Sequence, residues 1–267
     1  MARTPRIAVW CGTMLVLAAA VSAQPLKPGV ATIVRIQGEA RYTLRDGNWY
    51  PLVVGKTLGA GAVIETLPGA TVDMVLGKTI AMPQAAPVPD RIGPAPDPMV
   101  RGFVAYKPSV QQNMVRMTGG TMLAIDKLTI SDTGLDTVSD TELDLWKGRI
   151  FCSVKKLSAA SQYLVKIPNG IAGVRGTLFE IDASGWCAVL KNSVGLAIVG
   201  PDNIANTYII GEGNQFDPKT GQVSPVPSEL HELLTQSADA LDTAYVLILS
   251  YAYDGTFCFI SPTSGRH

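Results

Sequence analysis

Histidine is nearly absent from this chain: its 267 residues include only His231 and His267. A Ser-His-Asp arrangement would have to recruit His231, and no nucleophile-elbow string accompanies it. No catalytic residues, and no cofactor, are therefore expected. Charge is also sparse, at 16% of residues, with 22 basic against 22 acidic side chains. Without a basic field to neutralise phosphates, a nucleic-acid partner is not expected.

Long apolar runs are missing outside the N-terminus. The longest later run, Ala244–Ala252, is far short of the roughly 18 residues that a membrane helix needs. At the N-terminus, Arg3 and Arg6 precede an apolar stretch over residues 7–20, and Val21-Ser22-Ala23 follows with small residues. This is the pattern of a cleaved secretory signal over residues 1–23, with cleavage expected between Ala23 and Gln24. Cys11 sits inside the apolar stretch without a lipid-attachment box around it. The expected location is the periplasm or the exterior, with no membrane span in the mature chain.

Cysteine is scarce too. Of four cysteines, Cys152, Cys187 and Cys258 would survive maturation. Their spacing suggests no disulfide framework, although an oxidising compartment permits a Cys152–Cys187 bridge if their strands are neighbours. Small buried hydrophobes are the favoured reading.

What the sequence has in quantity is short β-rich segments. VATIVRI, EARYTL, WYPLVV, TLGAGAVIET and ATVDMVL follow one another over residues 30–76, with Gly-centred turns between them. Such spacing predicts an all-β sandwich, barrel or solenoid. Residues 78–113 interrupt it with six prolines between Pro83 and Pro98, a surface excursion expected to stay out of any ladder. Strand signals resume with MVRMT, TMLAIDKLTI and TELDLWKGRIFCSVKKL. In that last run Leu143, Leu145, Ile150, Cys152 and Val154 mark inward positions on either side of a Lys147-Gly148 turn.

Ser161–Ile181 reads as a hairpin turned at Asn169-Gly170, and WCAVL and VGLAIVG read as another around Lys191–Ser193. Residues 201–227 are rich in Gly, Asn and Pro and read as a linker. Ser228–Leu241 carries the one helical pattern, with Leu230, Leu233, Leu234, Ala238 and Leu241 as its apolar stripe. A hairpin around Asp254-Gly255 is expected after it, with a helix running on to Tyr251 as the competing reading.

Three groups of residues are candidates for chemistry. Asp132, Asp136, Asp140 and Asp144 recur every fourth residue; solvated edge carboxylates are favoured over a calcium site, because the intervening loop lacks alternating oxygen ligands. Arg175, within Gly173-Val174-Arg175-Gly176-Thr177, is expected to lock an internal Asp or Glu, with capture of an anionic ligand as the alternative. Trp49 follows a turn, where a sugar-binding platform would sit, but core packing is favoured.

The order of these pieces resembles one family, the FecR domain. Gly47, Trp49, Pro51, Leu52, Gly55, Leu58, Gly61, Ile64, Thr66 and Gly69-Ala70 follow its opening pattern. Leu145 to Ile150, the Arg175–Phe179 string and a closing segment over Asn192–Gly200 follow its later part. The resemblance spans about residues 30–200. It implies an all-β module without catalytic residues, a two-sheet sandwich or wrapped solenoid-like fold with a short C-terminal helix and hairpin over residues 228–267.

The family is named for a periplasmic regulator that relays a transport signal. No sigma-factor-contacting segment or retained membrane helix is recognised here, so the expected role is a free-standing exported module. Its partner would be an envelope protein or a surface polymer. The alternatives are the sensor of a relay whose membrane partner is a separate chain, and a glycan- or peptidoglycan-binding domain using Trp49 and Arg175 with Gly176-Thr177.

Overall fold

The computed structural model describes residues 27–79, 102–106, 112–132, 136–200, 203–242, 245–251 and 257–260. The expected signal segment, the proline cluster, Asp254-Gly255 and His267 lie outside them. From the N-terminus the strands are β1 (Lys27–Pro28), β2 (Val30–Gln37), β3 (Ala40–Thr43), β4 (Trp49–Pro51), β5 (Thr57–Leu58), β6 (Val63–Thr66) and β7 (Thr71–Gly77). Next come β8 (Gly102–Tyr106), β9 (Asn113–Met117), β10 (Met122–Asp132), β11 (Thr137–Lys147), β12 (Arg149–Ser153), β13 (Gln162–Ile167), β14 (Gly170–Val174) and β15 (Leu178–Asp182). β16 (Cys187–Lys191), β17 (Ser193–Val199), β18 (Ala205–Gly211), β19 (Asn214–Asp217) and β20 (Gln222–Pro225) precede helix α1 (Ser228–Asp242), and β21 (Tyr245–Tyr251) and β22 (Phe257–Ile260) close the series.

Among the described residues the fold is all-β, with two large sheets, a three-stranded sheet of β22, β21 and β8, and one short helix; the two-sheet sandwich with a short C-terminal helix is as expected. One sheet has ten strands in the order β18-β17-β14-β13-β11-β10-β6-β3-β4, with β1 paired to β10 beside that path. The other has nine, in the order β20-β19-β16-β15-β12-β9-β7-β2-β5. The chain crosses repeatedly from one sheet to the other. β9 leads to β10, β11 to β12, β14 to β15, β16 to β17 and β18 to β19 across short corners.

Period-two patterning explains why the sheets face each other. β13 alternates between exposed or half-buried and buried positions, its Tyr163, Val165 and Ile167 pointing inward. Leu143, Leu145, Ile150, Cys152 and Val154 all join the core between the sheets, as the spacing predicted. Fully burying one such aliphatic side chain contributes about 1.5–3 kcal/mol, so this contiguous core dominates the stability of the sandwich.

A second, smaller core lies on the outer face of the nine-stranded sheet. There Leu234, Ala238 and Leu241 of α1 pack with Val34, Val75, Met114, Phe151 and Ala188. Leu233, expected in the same stripe, is exposed instead. The helix ends at Asp242, and β21 pairs antiparallel with β22, so the hairpin forms and the longer helix does not.

Four expectations are corrected. The excursion over residues 78–113 does contribute to a ladder: β8 pairs with β21, because Gly102–Tyr106 lies beyond the last proline of the cluster. The linker over 201–227 holds β18, β19 and β20, which extend both sheets past residue 200. The β13–β14 turn is Pro168-Asn169, with Ile167 opposite Gly170. Gly170 is needed for close approach rather than for the turn, since a Cβ there would stand 2.2 Å from the Ala197 carbonyl oxygen. Finally, β16 and β17 are no hairpin, because they belong to different sheets.

Candidate functional site

The Arg175-Gly176-Thr177 string forms the corner that carries the chain from β14 to β15. Gly176 has φ +102°, and a Cβ on it would stand 2.8 Å from the Lys156 Cα. Only glycine fits that combination of conformation and contact. Thr177 is buried; its hydroxyl donates to the Ser193 carbonyl at 2.8 Å and its own carbonyl accepts from Val154 N–H at 3.0 Å. Asn192, at φ 64°, forms the neighbouring corner between β16 and β17, and its side-chain amide donates to the Gly176 carbonyl. The string is therefore a bracket that joins two sheet-crossing corners.

Arg175 does not make the expected carboxylate lock. Its side chain is exposed and its Nη2 donates to the backbone carbonyl of Ser158 at 3.1 Å. Val174 points into the core, and alternation along the strand turns Arg175 outward, away from internal acids.

Trp49 is not a core residue. It lies on β4, the last strand of the ten-stranded sheet, opposite Thr43 and with 39% of its surface exposed. The Arg41 guanidinium stacks 4.6 Å above its ring and pairs with Glu65 at 2.6 Å. Beside it Tyr50 contacts Tyr42 with ring centroids 5.6 Å apart and donates its hydroxyl to Asp46 at 2.7 Å, which holds the Asp46 carboxyl below its ordinary range. Leu44, Val53 and Val54 are exposed in the flanking loops, Val53 to 57%. A short edge strand has no neighbour to bury these side chains, so the segment presents an apolar, partly aromatic surface.

Cys152 and Cys187 are free and buried. Cys152 faces Phe179 and Cys187 faces Ile181, so β15 stands between them, and two strand spacings of about 4.8 Å exceed the reach of a disulfide. The bridge, expected only if their strands were neighbours, is therefore not formed. Burial pushes the Cys152 thiol up to about 12 and Cys187 higher still. Tyr163 donates its hydroxyl towards Cys152 Sγ at 3.9 Å.

The four aspartates each have separate partners. Asp132 pairs with Lys78 at 2.5 Å, Asp136 accepts from the Thr137 N–H, Asp140 pairs with Lys127, and Asp144 accepts from Trp146 Nε1. Among the described residues no group of His, Cys, Asp and Glu is placed to hold a metal ion. His231 is exposed on the first turn of α1.

Two polar clusters on the nine-stranded sheet were not anticipated. Asp73, fully buried, is held bidentately by Arg116 at 2.7 and 2.9 Å and by Arg35 at 2.9 Å, while Arg116 also donates to the Ser237 carbonyl of α1. The register sets Arg35, Asp73 and Arg116 side by side on β2, β7 and β9. A signal existed in the sequence: IVRI, VDMV and MVRM each carry one charge in an apolar strand. In the second cluster, Arg149 stacks 4.8 Å from the Trp186 ring and lies 3.5 Å from Glu180 and 3.6 Å from Asp182. Burial raises the Glu180 carboxyl above its ordinary range, against the pull of Arg149.

Residues 108–195 match the FecR protein family model. This FecR segment includes β9 to β16 and so contains both corners joined by Gly176 and Asn192. It begins after Gly47–Ala70, which carried the first half of the expected pattern. No curated protein matches the chain. Two crystal structures of a candidate anti-sigma factor from Parabacteroides distasonis ATCC 8503 are similar in part. At 1.65 Å resolution the identity is 12%, the TM-score 0.34 and the coverage 51% of this chain and 60% of that one. At 2.50 Å the values are 11%, 0.34, 50% and 63%. The chain thus spans about 60% of the length of those structures. No helix among the described residues is long and apolar enough to cross a membrane.

Proposed function

We propose that this chain is a non-catalytic FecR-type binding module of the cell envelope, exported by cleavage between Ala23 and Gln24, that contacts a protein through the β4 edge. The FecR segment supports the module; the exposed surface of Leu44, Trp49, Tyr50, Val53 and Val54 carries the binding role. Isolated exposed apolar side chains need no explanation, but several gathered along one short edge segment, Leu44–Val54, support an interaction site. A protein suits this surface better than a glycan. Arg41 covers one face of the Trp49 ring and is itself paired with Glu65, the Tyr50 hydroxyl is engaged by Asp46, and Leu44, Val53 and Val54 are aliphatic.

The test places a photo-crosslinking amino acid at Val53 in intact cells. The expected product joins the chain to one envelope protein and is lost on Trp49→Ala. Recovery of cell-wall material alone, or a crosslink indifferent to Trp49→Ala, overturns the reading. The N-terminal sequence of the exported chain checks the export step and is expected to begin at Gln24.

A further inference from the structure

The two large sheets have four edges, and three of them are blunted. β4 has three residues and ends on Pro51, β5 has two, and β20 has four and ends on Pro225. Short strands and proline are the usual guards against unwanted strand pairing. The fourth edge, β18, has no such guard. It runs seven residues, ANTYIIG, without proline or charge, and it pairs with β17 in unbroken register from Gly211 to Ala205. Among the described residues nothing pairs with its outer side. Ile209 is 70% exposed, and Val199 and Ile204 are exposed at the other end of the β17–β18 pair.

We propose that β18 is a pairing edge for a second copy of this chain, joined antiparallel across a two-fold axis. Unpaired backbone donors and acceptors along an edge call for an extended strand as the occupant. The lack of charge makes β18 complementary to itself, since no like charges meet when it opposes its own copy. With the axis at Tyr208, Ile209 faces Thr207 of the other copy in two β-branched cross-strand pairs, and Glu212 meets Ile204. The blunted β4 edge at the far end of the same sheet disfavours head-to-tail addition, which would build a fibre. Pairing of β18 with β18 closes on itself and leaves the Trp49 edge of each copy open.

The test is sedimentation of the chain as purified from cells, across micromolar concentrations, with hydrogen exchange of residues 205–211. The expected wild type is a concentration-dependent dimer whose β18 amides lose protection on dilution. Ile209→Lys and Thr207→Lys, both at exposed positions, are each expected to lose the dimer while melting as the wild type does. A wild type that is monomeric throughout, a dimer that survives both lysines, or β18 amides unaffected by dilution overturns the proposal. So does a monomer that instead takes up an extended segment of a different protein along β18.

Discussion

Asn192 donates its side-chain amide to the carbonyl of Gly176, so two corners at which the chain changes sheets are fastened to each other. The first prediction separates the bond from the backbone conformation. Asn192→Gly keeps the positive φ accessible and deletes only the amide, and is expected to cost about 1 kcal/mol. Asn192→Ala must also strain its backbone and is expected to cost more. Equilibrium urea unfolding of the two variants checks the order, and equal losses would remove the corner argument.

Gly176→Ala is expected to be more damaging than either. Its cost combines roughly 1–3 kcal/mol of backbone strain with the 2.8 Å approach to the Lys156 Cα. Arg175→Lys, one residue away, is expected to stay within about 0.5 kcal/mol of wild type, because the exposed guanidinium bonds only a surface carbonyl in the described geometry. Melting temperatures of the pair decide this. A larger loss for Arg175→Lys would restore the buried carboxylate lock.

The sheet content was legible because burial leaves a period-two trace, as at Leu143, Leu145, Ile150 and Cys152. Sheet membership was not. Alternation along β16 and β17 looks the same whether the two strands pair or face each other across a core, and only their pairing partners, β15 and β19 for one and β14 and β18 for the other, distinguish the cases. Trp49 misled for a related reason: its hydrophobicity suggests burial, yet its environment depends on β4 being last in the sheet. The Asp73 cluster needed a register between strands far apart in sequence, which local patterning does not hold.

Both thiols of the FecR segment are expected to be inert. Burial holds Cys152 and Cys187 protonated, and the thiol rather than the thiolate is a poor nucleophile. In a Cys258→Ser background, titration with a disulfide reagent is expected to detect neither in the folded chain and both after denaturation, with no reductant required. Rapid native labelling of either, or a need for reductant, would contradict the geometry.

Arg116→Met tests the attachment of α1. The substitution removes the bidentate partner of a fully buried aspartate, which typically costs about 3–5 kcal/mol, and it deletes the bond to the Ser237 carbonyl. Urea unfolding is expected to show a loss in that range, with hydrogen exchange rising first in Ser228–Asp242. If α1 stays protected while stability falls, Arg116 serves the sheet alone.

Glu180 supplies a pH dependence opposite to that of most carboxylates. Burial raises its folded pKa above the ordinary 4.5, with Arg149 opposing and Asp182 reinforcing the shift. The native state therefore holds this proton more tightly than the unfolded chain does. Its stabilising contribution is complete below 4.5 and is lost as pH rises through the folded value. Facing groups are few: Phe151 and Ala188 lie across on the neighbouring strands, and Arg149 and Asp182 flank the carboxyl. Glu180→Gln keeps the shape and cannot ionise. Its melting temperature relative to wild type is expected to become more favourable between acid pH and about pH 7. Losing the Arg149 contact subtracts from the variant chiefly where Glu180 is ionised, so a net trend in the stated direction means burial outweighs the pair. The reverse trend would mean that Arg149, stacked on Trp186, closes onto Glu180 more tightly than 3.5 Å.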